Sequence, residues 1–183
     1  ASSGSVMATA TNSIICVGQN TTLTASGGST YSWSNGLTTA AITISPTATT
    51  TYSVLVSSGT CSDNASGTVT VNALPAVVIS NAQTICMGQS AALTASGGTN
   101  YFWTGPNGFT SSSQNPSIAN VTTAASGMYS VTVTNSSGCS ATAAAMVTVN
   151  PSIATSVSPS AICLGDSALL TATGGGTYLW NTG

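Results

Sequence analysis

Few residues of this 183-residue chain could do chemistry: five cysteines, the two acids Asp63 and Asp166, and no Lys, Arg or His. General acid–base catalysis draws on His, Lys and tuned carboxylates, and glycoside hydrolysis needs two carboxylates flanking one bond. Asp63 and Asp166 stand in different repeats, so neither requirement is met and the composition argues against an enzyme. Nucleic acids and anionic membrane surfaces are held by basic residues, so neither is expected as a partner. Cys16, Cys61, Cys86, Cys139 and Cys163 are far apart, with no Cys-x-x-Cys pair. Zinc ligation is therefore a poor fit, and no metal or cofactor is expected. Disulfides are the better reading; each contributes about 2–4 kcal/mol in an exported chain. Reduced, buried thiols are the alternative. Asn20, Asn64, Asn120 and Asn135 open Asn-x-Ser/Thr triplets that arise from composition alone, whereas Asp166-Ser167-Ala168 has the form of a bacterial O-glycosylation acceptor centred on Ser167. The Gly-Gly pairs at Gly27, Gly97 and Gly174 lack a following Lys and helix, so they read as turns and not as phosphate loops.

What positions these residues is a repeat. Ile15-Cys16-Val17-Gly18 leads to Leu23, then Thr24-Ala25-Ser26-Gly27-Gly28, then Tyr31-Ser32-Trp33. The series recurs from Ile85-Cys86 to Trp103 and from Ile162-Cys163 to Trp180, with the same spacing of 17 from Cys to Trp. Self-similarity of this kind fixes the architecture before any local reading. Short alternating runs of Thr, Val, Ile and Tyr bounded by Gly, Asn, Ser and Pro are the pattern of half-buried antiparallel strands. In the first repeat they predict strands near Val6 to Ala10, Thr21 to Ala25, Thr30 to Ser34, Ala41 to Ser45, Thr51 to Val56 and Gly67 to Asn72. The second repeat is expected to follow the same course.

The expected fold is all-β: tandem immunoglobulin-like or PKD-like antiparallel sandwiches in a rod. The domains run over 1–73 and 74–150, with an incomplete third over 151–183. Trp33, Trp103, Trp180, Tyr31, Tyr101, Tyr52 and Tyr129 are the expected core aromatics. The seven extra residues of the second period fall in a loop around Gly105-Pro106-Asn107-Gly108, as surface loops allow. No apolar run approaches the roughly 20 residues that cross a bilayer, so no membrane insertion is expected. The third copy stops after its Trp, with about three of the seven strands that a sandwich needs. Either the natural chain continues, which is the favoured reading, or another chain supplies the missing strands.

The Cys-x-Gly-x-x-x-x-Leu-Thr opening, the Tyr-x-Trp at Tyr31/Trp33, Tyr101/Trp103 and Tyr178/Trp180, the run Thr51 to Val54 with its counterpart Met128 to Val131, and the Gly-bearing approaches to Cys61 and Cys139 resemble a known family. They are similar to the PKD-like and immunoglobulin-like repeats of large surface and secreted proteins in gliding bacteria that use type IX secretion. The resemblance implies an extracellular role in a cell-surface adhesin, a gliding-motility adhesin or a filament, with neighbouring repeats of the same or an identical chain and a surface or glycan ligand as partners. A spacer or carbohydrate-binding module attached to a secreted enzyme is the alternative. The acidic Gly-Asp-Gly turn of the PKD pattern is replaced by Ser34-Asn35-Gly36 or Thr104-Gly105-Pro106, so a calcium role for that turn is not carried over.

The obvious disulfides are Cys16 with Cys61 and Cys86 with Cys139, each inside one repeat. Sandwich topology argues otherwise: Cys16 precedes the turn between the first two strands, Cys61 follows the last hairpin, and those turns lie at opposite ends. About ten residues of strand at roughly 3.3 Å each would separate them by some 30 Å, whereas a disulfide needs Cα atoms within about 7 Å. The favoured pair is Cys16 with Cys139. Cys61, Cys86 and Cys163 would then pair with repeats beyond this segment.

Overall fold

The computed structural model describes residues 7–157, 161–165 and 167–180. Val6 of the expected first strand and Asp166 lie outside the described residues. Two compact units emerge, one of Ala1–Val78, Ala95–Phe102 and Val131–Ala143, the other of Ile79–Thr94, Trp103–Ser130 and Ala144–Gly183.

In the first unit, β1 (Thr9–Ala10), β2 (Ser13–Cys16), β3 (Thr21–Ser26), β4 (Thr30–Trp33), β5 (Ala41–Ile44), β6 (Thr50–Ser58) and β7 (Cys61–Asn72) form two sheets, β1-β3-β5 and β2-β7-β6-β4. This is an immunoglobulin-like sandwich. Alternate residues face inward along each strand, so Ile15, Leu23, Ala25, Trp33, Ile42, Ile44, Val54, Val56 and Val69 make one buried cluster, with Tyr31 and Tyr52 half-buried at its margin. The hairpin between β6 and β7 closes on Gly59-Thr60, with Ser58 opposite Cys61. Gly59 at φ 64° opens that two-residue turn, as hairpin twist requires.

Two departures from the expected strands follow from long-range pairing. Ser13–Cys16, expected to lie outside any strand, runs parallel to β7, with Cys16 opposite Asn72. Only Ile15 of its four residues is buried while Ile14 is exposed, so no alternation marked it. The ladder of β7 begins at Cys61 and not at Gly67: Ser62 to Ser66 pair with β6, but Ala65 is their only apolar residue, so no alternation marks them. The chain changes sheets between β1 and β2. There Thr11 N donates to Thr24 O, and Asn12 Oδ1 accepts from Thr68 N at 2.8 Å. Gly67 permits this crossing, since a Cβ there would collide with Thr11 O.

The second repeat supplies β8 (Val78–Ile79), β9 (Gln83–Cys86), β10 (Ala91–Ala92), β11 (Ala95–Ser96), β12 (Asn100–Thr104), β13 (Thr110–Ser111), β14 (Ser117–Ile118), β15 (Gly127–Thr134) and β16 (Ser140–Asn150), with short 3-10 turns at Pro106–Gly108 and Thr123–Ala125. One sheet has the order β13-β12-β15-β16-β9. β9 again runs parallel to the last strand, with Cys86 opposite Asn150. Where the first repeat has the continuous β3, the second is broken into β10 and β11. Ala92 pairs with Ser117, so Leu93 falls opposite Pro116, whose nitrogen has no hydrogen to give the ladder.

From the third repeat, β17 (Ser156–Val157) and β18 (Ala172–Thr173) pair antiparallel. They reproduce the β1–β3 register of Thr9 with Ser26. The tight turn that follows is shared as well: Gly27, Gly97 and Gly174 have φ of 112°, 113° and 103°, and a Cβ on any of them would strike the backbone oxygen of Met7, Ala76 or Ala154. No other residue type fits that approach.

Candidate functional site: a cysteine docking point

Cys16 ends β2, and the chain turns at once through Val17 and Gly18, which adopts φ 87°. Gln19 holds this turn from both sides: its backbone N–H donates to Cys16 O at 3.0 Å, and its Oε1 accepts from Cys16 N at 3.0 Å. Val17 N donates to Asn72 O at 3.0 Å, anchoring the turn to the end of β7. The result is a cup at the end of β2, held to Asn72 and lined on one side by Leu74.

Into it fits the hairpin that carries Cys139. Asn135 Oδ1 accepts from Ser137 N and from Cys139 N, both at 3.0 Å, and Gly138 at φ 79° completes the bend. Asn135 Nδ2 donates to Ala73 O at 2.9 Å, so one side chain shapes the hairpin and fastens it to the segment after β7. Cys139 is fully buried, its Sγ 3.9 Å from Asn72 O. Cys16 and Cys139 are joined by a disulfide with Cα atoms 5.6 Å apart, across a sequence separation of 123. Beside it runs a groove of about 360 Å³ lined by Val17, Gly18, Gln19, Leu74, Gly138 and Ser140 as well as Cys16. All of these residues belong to the first unit. Sequence reasoning missed Asn135 except as a glycosylation triplet; its place four residues before a hairpin cysteine was the available signal.

Cys61, half-buried, and Cys86 and Cys163, both exposed, are free thiols. Cys61 opens β7 while Cys16 stands opposite Asn72 at its other end. Eleven residues of strand put roughly 36 Å between them. The same reasoning separates Cys86, opposite Asn150, from Cys139 just before β16.

The aromatic positions divide. Trp33 is 3% exposed and its Nε1 donates to Thr39 O at 2.9 Å; Trp103 is fully buried with Nε1 unpaired. Tyr129 is buried, donates its hydroxyl to Ala125 O at 2.9 Å and meets Phe109 edge to face at 5.4 Å. Burial pushes its phenol upward from the ordinary value. Tyr31, Tyr52 and Tyr101 are half-buried, and the hydroxyls of Tyr31 and Tyr101 donate to Gly28 O and Gly98 O. Trp180 corrects the expected core: it is 47% exposed. Ser167 is exposed. Among the described residues, no group of three His, Cys, Asp or Glu lies together, and no helix is long and apolar enough to cross a membrane.

Residues 73–151 match the family model described as Ig-like domain CHU_C associated. Solved structures similar to this chain include DIP-gamma IG1+IG2, at 12% identity and TM-score 0.39 over 76% of this chain and 94% of that one. Extracellular domains 3–5 of Drosophila OTK align at 13% identity and TM-score 0.49, over 77% of this chain and 60% of that one. Titin domains I67–I69, in an E-to-A variant, align at 12% identity and TM-score 0.44, over 78% and 64%. No curated protein matches the sequence.

Proposed function

We propose that this chain of tandem Ig-like repeats is a load-bearing, adhesive segment of a bacterial extracellular surface adhesin or filament, built from modules over 1–73, 74–150 and 151–183. The observation that carries this reading is the Cys16–Cys139 disulfide, which closes 123 residues into one covalent loop from the first repeat to the second. A disulfide inside one repeat shields that repeat alone, whereas this one joins two repeats and takes tension off the strands from β3 to β15. Such a bond persists in an oxidising, extracellular setting. The chain offers no His, Lys or Arg for catalysis, and its role in this reading is mechanical.

Pulling single molecules from their termini tests it. In oxidised protein, the residues between Cys16 and Cys139 should contribute no extension beyond the disulfide. Adding a thiol reductant should release roughly 400 Å of further contour length, from about 3.3–3.6 Å per residue. Release of that length without reductant would remove the mechanical role.

A further inference from the structure

Cys86 sits in a second copy of the cup that holds Cys16. Its N–H donates to Gln89 Oε1 at 3.1 Å, where Cys16 donates to Gln19. Met87 N donates to Asn150 O at 2.8 Å, where Val17 donates to Asn72. Cys86 is paired in parallel register with Asn150, as Cys16 is with Asn72. The following glycine has the same left-handed conformation, φ 86° at Gly88 against 87° at Gly18. The difference is occupancy: the first cup holds a hairpin cysteine, and Cys86 is a free, exposed thiol. The complementary part is also present and unused. Cys61 follows the last hairpin of the first repeat as Cys139 follows that of the second, opposite Ser58 across a two-residue turn, and it is a free, half-buried thiol. Strand length keeps Cys86 from Cys139 of its own repeat, as calculated above.

We infer that Cys86 is a second docking cysteine and that its partner is the hairpin cysteine of another Ig-like module, for which Cys61 of a second copy of this chain is the available probe. The inference rests on the mechanical reading above and extends it: each module offers a cup at one cysteine and a hairpin at the other. The two contacts are not self-complementary, and repetition of such a heterologous contact gives an open series of copies and not a closed pair. The chemistry is thiol–disulfide exchange. A Cys86 thiolate attacks an oxidised disulfide donor, and the Cys61 thiolate then displaces that donor's remaining thiol; the two cysteines lose two electrons, and the donor is reduced to two thiols.

The experiment incubates the full chain with glutathione disulfide in a Cys163→Ser background, then reads non-reducing gels and pepsin peptides. A ladder of covalent multimers containing a Cys61–Cys86 linkage is expected. Either Cys61→Ser or Cys86→Ser alone should reduce the ladder at least tenfold, and mixing those two variants should restore dimers but nothing larger. Cys61–Cys61 or Cys86–Cys86 dimers, or free thiols at both positions, overturn the inference. The Cys16–Cys139 peptide separates the two failures: if it forms while Cys61–Cys86 does not, only the second docking point is lost; if it too is missing, the mechanical reading falls with it.

Discussion

Asp63 is a half-buried carboxylate in a chain with almost no charge, and its two backbone hydrogen bonds give it a structural task. Its Oδ2 accepts from Ala8 N at 3.0 Å and its Oδ1 from Asn64 N at 2.9 Å. The bond from Ala8 first, and that from Asn64 second, hold its carboxyl below the usual carboxylate range. A folded-state pKa below the unfolded one means the charged form is favoured by folding. The contribution is therefore present above the unfolded value of about 3.9 and disappears as pH falls through the lower folded value. Asp63→Asn should flatten that part of the acid titration of folded protein; an unchanged acid limb would refute the assignment. The two buried tryptophans give a sharper comparison. Trp33→Phe leaves Thr39 O without its indole donor, whereas Trp103→Phe removes a donor that was already unpaired. The net worth of such a bond to the exposed Thr39 is about 0.5–1.5 kcal/mol, so Trp33→Phe should be the more destabilising by about that amount in urea denaturation. Equal losses would show that packing alone decides both.

Among the elements, those legible in the sequence were the ones whose partners lie across an antiparallel ladder with a buried face. Leu23, Trp33, Ile42, Val54 and Val56 all alternate with exposed neighbours, and a period of two reveals them. β2 and β9 were not legible, because each is four residues long and gains its identity from a distant parallel partner. The cysteine pairing was accessible by another route: the length of β7 forbids Cys16 to reach Cys61, which leaves the hairpin cysteine of the next repeat as the favoured partner, and the disulfide joins Cys16 to Cys139. How Asn135 seats that hairpin is marked in the sequence only by its place four residues before Cys139. Its carboxamide makes three bonds, two within the turn and one to Ala73 O. Asn135→Ala removes all three, and a net loss of about 1.4 kcal/mol is a tenfold change in an equilibrium constant. In a glutathione redox buffer, the equilibrium constant for closing Cys16–Cys139 should fall by about tenfold. A value unchanged within twofold would mean that the hairpin is seated without it.

For the whole molecule, the sequence leaves association almost nothing electrostatic to use. There are no basic residues and only two acids, for a formal net charge of −2. Salt screens charges over about 10 Å at 0.1 M and about 3 Å at 1 M, so a contact made without charged pairs keeps its strength as salt rises. What can hold this chain to itself or to a surface is then hydroxyl and amide hydrogen bonding, apolar contact and disulfides. Hydroxyl pairs already run across its strands, as Thr22 with Thr43 at 3.2 Å and Thr51 with Thr68 at 2.9 Å. Exposed apolar side chains remain at Ile14, Phe102 and Leu179. Self-association measured by sedimentation, and adhesion measured by detachment force, should therefore change by less than tenfold between about 50 and 500 mM salt, the span over which the Debye length falls several-fold. Thiol reductant should weaken both in the same buffers, because it opens covalent links that salt does not touch. Weakening of more than tenfold by salt alone would mean that a charged partner, absent from this sequence, makes the contact.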